Sequence, residues 1–474
     1  MRILLVKPRP QLDAIHALHR FQLLEPIELG YLAAAVPKQH EVRVLDLRFS
    51  YFPDASFSRT LKRFRPDLVG ITGYTHEAGI VKRLARTAKS SGAYVVVGGH
   101  HATVAASDYD IVEIDAIVRG EGCSPFRSIV DAIEQNAPLE GIEGVVVPGR
   151  IDPAALTSFP LFPDPADLPS PRRDLWNAQR YFSVWACEEV SSFQRLFVPA
   201  SMVRTSFGCR MHCTFCIVPK MFNGEHRPRP AERVADEIAS LPTDHVYFCD
   251  DENFIDPDFA HDLAGELERR NVKKRYFAWT RATTVNRFPG LFDRWRALGL
   301  DAAFLGFEFP SDEQLRRSKK GTTVAENSRA HDTLRSKGIA VHAAFMLLPE
   351  FDRDDFGRLR SYVQDMPPAQ FSFTVCTPSP GTDDYEAIRG DFWTERPYDL
   401  HDCMHPLTPT RLPLREFSRL YAQQINEAGK KNPRRAARKP IHPADMLRVV
   451  KAQTLYERAY ANIHRDYPRE LWER

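Results

Sequence analysis

The sequence lacks long apolar runs, a strong excess of either charge and any abundance of cysteine. Without roughly 18 consecutive apolar residues no transmembrane helix is expected, which leaves only weak association with a membrane surface open. The 64 Lys and Arg residues nearly balance the 62 Asp and Glu residues, and the formal net charge of +2 gives no reason to expect a nucleic-acid partner. Hydrophobic residues make up 43% of the chain and charged residues 27%, which excludes a disordered or fibrous protein.

The N-terminus shows no secretory signal, because the apolar run Ile3–Val6 is short and Pro8 follows it closely. We therefore expect a cytoplasmic protein whose eight cysteines are mostly reduced. In a reducing compartment, clustered cysteines indicate metal ligands rather than disulfide partners.

The length of 474 residues predicts two to four domains. Six of the 36 prolines lie close together, at Pro153, Pro160, Pro163, Pro165, Pro169 and Pro171. This density cannot form a helix and indicates an ordered linker. We predict an N-terminal domain over 1–150, a Pro-rich linker over 151–195, a second domain over 196–385 and a helical C-terminal domain over 386–474.

The N-terminal third carries short apolar runs that alternate with helical patterns. The runs mostly do not alternate with polar residues, as is typical of parallel strands buried on both faces: Ile3–Val6, Val42–Leu45, Leu68–Thr72, Tyr94–Val97 and Ala116–Val118. Helical patterns begin with Pro26 as the first helical residue and at Glu77. The order of strands and helices predicts an α/β domain with a doubly wound, Rossmann-like sheet.

Ligands bind such a sheet beyond the carboxyl ends of its strands. The residues that follow the predicted strands, and are therefore candidates for a binding site, are Pro8, Gly73, Tyr74, Thr75, Gly98, Gly99, His100, Gly120 and Glu121. Adjacent glycines either let a ligand approach the backbone or only form a tight turn. No G-x-G-x-x-G motif follows the first strand, which argues against a dinucleotide.

The strongest chemical signal is the spacing C-x3-C-x2-C at Cys209, Cys213 and Cys216. Three thiolates on one loop can hold three irons of a [4Fe-4S] cluster and leave the fourth iron open. The alternative is zinc, which requires a fourth ligand such as His212 or a distant residue. The other cysteines are dispersed and form no second C-x2-C pair, so we expect no second cluster: Cys123, Cys187, Cys249, Cys376 and Cys403.

Further strands and helices alternate around this motif. The apolar runs lie at Val203, Val246–Phe248, Tyr276–Trp279, Ala302–Phe307, Val341–Leu348 and Phe371–Val375. The pattern predicts a partial or complete parallel (β/α) barrel, with helices over 230–241 and 288–300. The cysteine loop follows the first of these strands, at the end where barrels carry their active residues.

The cysteine motif, including Phe215 before its last cysteine, resembles the signature of the radical S-adenosylmethionine (SAM) superfamily. The resemblance implies that the open iron binds SAM and that the reduced cluster cleaves it to a 5′-deoxyadenosyl radical. Residues at the strand ends would then contact SAM, with alternative interpretations as a solvated acidic loop or surface ion pairs: Phe215, Asp250, Asp251, Glu252, Arg281 or Arg316, and Glu308. The run Thr377–Thr382 also resembles a family ending.

An N-terminal doubly wound domain before this motif resembles the cobalamin-dependent radical SAM enzymes, over about residues 1–385. The matching positions are Leu24-Glu25-Pro26, Gly98-Gly99-His100 and Arg119-Gly120-Glu121-Gly122. The resemblance makes the strand-end candidates of this domain cobalamin contacts. The chain lacks the D-x-H-x-x-G motif whose His ligates cobalt, so the axial ligand stays unassigned, with Tyr74, Thr75 or another loop residue as a possible shield.

The last ninety or so residues contain helical patterns over 414–428 and 443–465. We expect a small helical cap that closes the substrate side of the barrel. The basic run Lys430–Lys439 is interpreted as a solvated loop or, alternatively, as a patch for anionic lipid, phosphate or a partner.

The resemblance implies a methyltransferase that methylates an unactivated carbon of a small molecule, such as a hopanoid, a tetrapyrrole or a natural-product intermediate. Its cofactors would be a [4Fe-4S] cluster, SAM and cobalamin, and its electron donor a flavodoxin or ferredoxin. The alternatives are a cobalamin-dependent oxidative cyclase or rearrangement enzyme and, in another class, a zinc-stabilised binding module.

Overall fold

A computed structural model describes residues 1–160, 162–184, 195–367, 369–395, 397–430 and 442–473. Cys187, the last residues of the predicted linker and nearly all of the basic run at 430–439 lie outside the described residues.

The N-terminal domain is built on a six-stranded sheet in the order β3-β1-β4-β5-β6-β7, in which only β7 runs antiparallel to its neighbour. The first seven strands of the chain are β1 Arg2–Lys7, β2 Gln22–Leu23, β3 Glu41–Asp46, β4 Leu68–Thr72, β5 Tyr94–Gly98, β6 Ala116–Val118 and β7 Val145–Val146. β2 lies outside this sheet. All five predicted strands are confirmed, and with them the doubly wound sheet.

Helices cover both faces of the sheet, which explains why its strands do not alternate with polar residues. Ile3 and Leu5 of β1 pack into one hydrophobic cluster, and Leu4 and Val6 pack into another. The helices are α1 Asp13–Leu18, α2 Ile27–Ala35, α3 Pro53–Phe64, α4 Ala78–Lys89, α5 His100–Val104 and α6 Cys123–Glu134. Pro26 caps α2 instead of serving as its first residue.

The second domain is an open, partial barrel with six parallel strands in the order β16-β15-β14-β13-β12-β9. The remaining strands are β8 Phe182–Ser183, β9 Ala200–Val203, β10 Ser206–Phe207, β11 Arg227–Pro228, β12 His245–Phe248, β13 Arg275–Thr280, β14 Leu300–Glu308, β15 Ala340–Leu347 and β16 Gln370–Val375. β8 pairs with β2, and β10 pairs with β11. The predicted barrel is confirmed in its partial form.

Further helices follow β9 along the described chain, and most of them form the outer layer of the barrel. They are α7 Val218–Met221, α8 Ala231–Ser240, α9 Pro257–Arg269, α10 Ala282–Arg287, α11 Pro289–Leu298, α12 Asp312–Arg317, α13 Val324–Ser336, α14 Arg353–Asp365, α15 Asp383–Ile388, α16 Leu414–Gly429 and α17 Pro443–Ala461. Short 3-10 turns lie at Leu47–Phe49, Thr75–Glu77, Ala106–Tyr109, Pro153–Leu156, Pro165–Asp167, Arg173–Leu175, Ala178–Arg180, Pro397–Leu400, Ile463–Asp466 and Arg469–Leu471. No described helix is long and apolar enough to cross a membrane.

The C-terminal helices do not sit over the substrate side of the barrel as the expected cap would. Phe417 and Tyr421 of α16 pack into the outer core beside Phe356, and the Tyr421 hydroxyl donates to the carbonyl of Phe373 at 2.7 Å. Helix α17 packs against α16 and against α1 of the N-terminal domain. The apolar face of α16 explains this placement, because it completes the helical layer outside β16.

A buried charge network joins the two domains through the linker. Arg173 of the linker donates to Glu25 of the N-terminal domain at 2.5 Å and to Glu237 of α8 at 2.6 Å. Glu25 also accepts from the backbone N–H of Met202 in β9 at 2.9 Å, and Arg229 pairs with the second oxygen of Glu237 at 2.8 Å. Because the two glutamates are almost inaccessible to solvent, these contacts fix the orientation of the sheets.

We predict that Glu25→Ala lowers the free energy of unfolding by about 3–5 kcal/mol, because it leaves Arg173 buried without one of its partners. Glu41→Ala is the matched control, since Glu41 forms an exposed pair with Arg43, and it should change stability by less than about 0.5 kcal/mol. Chemical denaturation followed by circular dichroism measures both. Equal stability of the Glu25→Ala variant and the parent protein would show that the network does not hold the domains.

Candidate active site

The cysteine loop begins directly after β10, at Gly208, and leads to β11, which pairs with β10. Gly208 adopts a φ of +82°, and a Cβ atom there would lie 2.2 Å from the carbonyl oxygen of Glu225, so this position requires glycine. The Gly208 N–H donates to the Asp251 carboxylate at 3.0 Å. The turn therefore sets the direction in which the next residue, Cys209, enters the loop.

The three thiols of the loop are shielded and close enough to influence one another. Cys213 is buried, and Cys209 and Cys216 are half-buried. Burial, together with the neighbouring Cys213 and Cys209, raises the pKa of Cys216 to about 12. Binding of a metal would therefore release protons from this loop.

The described residues do not bring together the four ligands that a zinc site requires. Among the described residues, no three His, Cys, Asp or Glu side chains converge on a point that could hold one metal ion. His212, the suggested fourth zinc ligand, is exposed. In a [4Fe-4S] cluster each thiolate binds a different iron, so the sulfur atoms need not converge.

Arg281 supplies positive charge beside the loop. Its Nη1 lies 3.8 Å from the Cys213 sulfur, and its Nη2 donates to the carbonyl of Lys320. Its Nε is buried and has no partner among the described residues. A buried cation with an unused donor fits an anionic cluster or the carboxylate of SAM, and the contact of Arg281 with SAM stays a prediction. Arg316, the alternative, is exposed.

Asp250 holds the chain that leads into the cysteine loop. Its carboxylate accepts from the backbone N–H groups of Thr205 at 2.6 Å and Ser206 at 3.1 Å, and from the side chains of Thr205 and Asn253. Burial raises the pKa of Asp250 to about 6, although these hydrogen bonds oppose the shift. The geometry gives Asp250 a positioning role, and its contact with SAM stays a prediction.

Asp251 and Glu252 have different surroundings although they are adjacent. Asp251 accepts from Arg204 at 2.9 Å and from the Gly208 N–H, so it also supports the loop. Glu252 is buried and accepts from the Thr280 hydroxyl at 2.9 Å, and burial raises its pKa to about 7. Glu252 is therefore the carboxylate of the three that is least committed to the cysteine loop.

The two other predicted SAM contacts are Phe215, within the cysteine loop, and Glu308, at the end of β14. Phe215 packs with Phe309 and Met346 beside the ends of β14 and β15. Glu308 is buried, has a φ of +62°, and forms an ion pair of 2.6 Å with Lys320. Lys320 was not among the predicted site residues, because nothing in the spacing of Glu308 and Lys320 indicates that they pair.

A cavity of about 410 Å³ lies between the carboxyl ends of the N-terminal sheet and the barrel. Its lining includes most of the predicted binding residues: Gly73, Tyr74, Gly98, Gly99, His100, Gly120 and Glu121. Pro8 is buried and Thr75 is buried, and neither lines the cavity. The barrel contributes Arg204, Phe207 and Phe222 to the opposite wall.

The glycines along this edge leave room for a ligand. Gly98 lines the cavity, and a Cβ atom placed on it would lie 3.7 Å from its nearest neighbour, Val118. Gly99 has a φ of +95°, and a Cβ atom there would lie 2.6 Å from the Thr72 hydroxyl, so this glycine is needed for the turn itself. An open, glycine-lined strand edge fits a large planar cofactor with its attached nucleotide.

His100 connects the two domains across the cavity. Its Nε2 lies 3.3 Å from the Ser379 hydroxyl, in the loop after β16. Burial lowers the pKa of His100 to about 4, with further lowering by His401 and His101, so the imidazole is neutral at pH 7. Tyr74 is half-exposed beside it, and the Lys7 ammonium lies 4.7 Å from the centre of the Tyr74 ring.

Several lining residues were missed from the sequence. Lys7 lines the cavity and pairs with Glu28 at 2.7 Å, and Tyr31, Phe162 and Phe222 form apolar walls. Lys7 is the last residue of β1 and directly precedes the predicted Pro8, so the rule that ligands bind beyond strand ends also indicates Lys7. The aromatic walls come from a helix, the linker and the segment after the cysteine loop, and no local pattern brings them together.

Comparisons with known proteins agree with this arrangement. A family model described as the radical SAM superfamily matches residues 203–363, and one described as a B12 binding domain matches residues 16–130. They support the expected cofactors: a [4Fe-4S] cluster and SAM for the barrel, and cobalamin for the N-terminal domain.

Two curated proteins and one solved structure extend the similarity. Hopanoid C-3 methylase of Methylococcus capsulatus is 29% identical over 88% of this chain and 78% of its own length. Anaerobic magnesium-protoporphyrin IX monomethyl ester cyclase of Cereibacter sphaeroides is 26% identical over 77% of this chain and 60% of its own. TsrM, a radical SAM methyltransferase from Kitasatospora setae solved with cobalamin and a [4Fe-4S] cluster, shares the fold with a TM-score of 0.62 at 18% identity, over 94% of this chain and 90% of its own.

We predict that Cys213→Ala abolishes iron–sulfur absorption and the formation of 5′-deoxyadenosine from SAM, because two thiolates cannot hold three irons. Cys403→Ala, which changes a cysteine outside the motif, should leave both unchanged. Visible absorption and chromatography of the reaction products measure the effect. Formation of 5′-deoxyadenosine at the parental rate by the Cys213→Ala variant would contradict the assignment.

We predict that Gly98→Leu lowers the affinity for cobalamin roughly tenfold or more, because the added side chain enters the cavity without straining the backbone. Gly290→Leu is the control, since a Cβ atom at Gly290 meets nothing within 4 Å and the residue is exposed. Corrinoid bound per chain after gel filtration is the measurement. An unchanged corrinoid content in Gly98→Leu would place the cofactor elsewhere.

Proposed function

Since this chain belongs to the cobalamin-binding radical SAM enzymes, we propose that it is a cytoplasmic methyltransferase that acts on an unactivated carbon of an apolar small molecule. The observation that carries the proposal is the cavity of about 410 Å³ onto which the carboxyl ends of strands from both sheets open. The same residue, Arg204, lines this cavity and pairs with Asp251, which holds the cysteine loop. The cobalamin side and the SAM side of the enzyme are thus adjacent.

When bound, the cluster supplies the electron that cleaves SAM, and cobalamin carries the methyl group. The chain provides the setting for this chemistry. Asp250 and Asp251 fix the start of the cysteine loop, and Arg281 places a positive charge at Cys213. Because reactive radicals must be protected from solvent, the apolar wall formed by Phe207 and Phe222 serves to exclude water.

Neutral His100 has a structural task in this scheme. Its hydrogen bond to Ser379 joins the end of β5 to the loop after β16, and its neighbour His101 contacts the ring of Tyr398 at 4.8 Å. These contacts hold the mouth of the N-terminal sheet against the last strand of the barrel. Because His100 carries no charge at pH 7, it adds no repulsion in a buried place.

The substrate that the similarities favour is a polycyclic lipid of the hopanoid type. Hopanoid C-3 methylase is similar to this chain over 88% of its length. A flavodoxin or ferredoxin is the proposed electron donor, since cleavage of SAM consumes one electron from outside the chain.

Oxidative cyclisation is the second candidate, and the similarity to the magnesium-protoporphyrin cyclase of Cereibacter sphaeroides favours it. The two reactions differ in the fate of the methyl group of SAM. A methyltransferase places it in the product, whereas a cyclase leaves the product without it.

We predict that the reconstituted protein, given methyl-labelled SAM, a reductant and a hopanoid, transfers the label to the hopanoid carbon skeleton. Mass spectrometry of the extracted lipid measures the transfer. Magnesium-protoporphyrin IX monomethyl ester serves as the parallel substrate, and the Cys213→Ala variant as the negative control. If the tetrapyrrole were converted without gaining label and the hopanoid stayed unlabelled, the methyltransferase proposal would be wrong and oxidative cyclisation would be favoured.

A further inference from the structure

A second cavity, of about 430 Å³, lies at the surface between the N-terminal domain, the linker and α17. Its lining holds six cationic side chains: Arg9, Arg20, Arg48, Arg180, Arg448 and Lys451. Among the residues that the structure describes, no Asp or Glu lines it. A cavity with this composition attracts an anion and repels a cation.

Most of these cations have no carboxylate partner in the described part of the chain. Arg48 pairs with Asp46 at 2.6 Å and is thereby neutralised. The Arg9 guanidinium donates to the carbonyl of Ser50 and to His16 at 3.3 Å, which leaves its charge uncompensated. For Arg20, Arg180, Arg448 and Lys451, no Asp or Glu oxygen of the described residues lies within ion-pair distance. Among the described residues, the charges of Arg20, Arg180 and Lys451 are therefore left for a ligand, while Asp445 acts electrostatically on Arg448.

Aromatic rings orient two of the guanidinium groups. Arg180 lies over the ring of Phe49 at 3.7 Å, and Arg448 lies over the ring of Phe197 at 3.7 Å and that of Phe182 at 4.2 Å. Stacking uses the flat face of a guanidinium and leaves its N–H edge free to bind phosphate oxygens. The site is therefore preorganised, unlike a set of mobile surface side chains.

Large exposed apolar side chains lie in or next in sequence to the residues that line the cavity. Tyr51 lines it, Phe52 follows Tyr51, and Leu447 and Val450 precede the lining residues Arg448 and Lys451. Tyr51 and Phe52, before α3, are 81% and 77% exposed, and Leu447 of α17 is 79% exposed. Met446 and Val450 of the same helix are also exposed. Exposed apolar groups next to unpaired cations are the pattern of proteins that lie on a membrane surface, where the apolar groups enter the boundary between headgroups and acyl chains.

We propose that this face docks on an anionic phospholipid bilayer, with one headgroup phosphate in the basic cavity and Tyr51, Phe52 and Leu447 in the headgroup layer. A free phosphate ion would use the cations and leave the apolar rim unexplained. The inference does not depend on the proposed methyl transfer, because it rests on a separate cavity. Docking on a bilayer would give such an enzyme direct access to a lipid substrate.

The experiment is sedimentation of the full chain with vesicles of phosphatidylcholine, alone or mixed with phosphatidylglycerol. The parent protein should bind the anionic vesicles and not the zwitterionic ones. The variant Arg20→Gln/Arg180→Gln/Lys451→Gln should bind anionic vesicles roughly a hundredfold more weakly, from about 1 kcal/mol per charge at such a surface. All three residues are exposed, so the fold, checked by circular dichroism, should be unchanged.

The matched control is Arg329→Gln/Arg335→Gln/Arg358→Gln, which removes the same charge from exposed positions on α13 and α14. It should bind as the parent protein does. Phe52→Ser/Leu447→Ser should weaken binding although it changes no charge. Three results would overturn the proposal: equal loss in both triple variants, undiminished binding by Phe52→Ser/Leu447→Ser, or complete release from vesicles by millimolar inorganic phosphate at constant ionic strength, which would indicate a site for free phosphate.

Discussion

Burial of Arg173 between Glu25 and Glu237 is the constraint on which the rest of the structure depends. A guanidinium removed from water requires carboxylates at fixed positions, and here these come from different domains. The two sheets are thereby held with their carboxyl ends towards each other. That orientation forms the first cavity and brings His100 to Ser379. It also lets Arg204 line the cavity while pairing with Asp251.

Much of the fold could be predicted because its signals are local. Strands such as Leu68–Thr72 are buried on both faces and appear as continuous apolar runs, and the cysteine motif places three metal ligands within eight positions. Long-range pairs could not be predicted. Glu25 and Arg173 are 148 residues apart, and His100 and Ser379 are 279 apart, so no spacing rule connects them. Helix α16 was misplaced for the same reason, since its apolar face indicates burial but not the surface that covers it.

The acidic run at 250–252 shows that residue type alone does not predict which carboxylate takes which role. Asp250 and Asp251 bind backbone N–H groups that shape the cysteine loop, whereas Glu252 accepts from Thr280 and keeps a raised pKa near 7. From the sequence the three were equivalent candidates for the ammonium group of SAM. Their roles diverge because adjacent side chains at a strand end point in different directions, which the order of residues does not reveal.

We propose that the cluster and cobalamin bind next to each other, on either side of the opening between the two sheets. Electron paramagnetic resonance of the protein reconstituted without oxygen tests it most directly, with the cluster reduced and the cobalt in its paramagnetic cob(II)alamin state. The account predicts dipolar interaction between the two spins, visible as splitting or broadening that is absent when only one centre is paramagnetic. Two independent signals that simply add would contradict it, because the two sheet edges would then face separate sites.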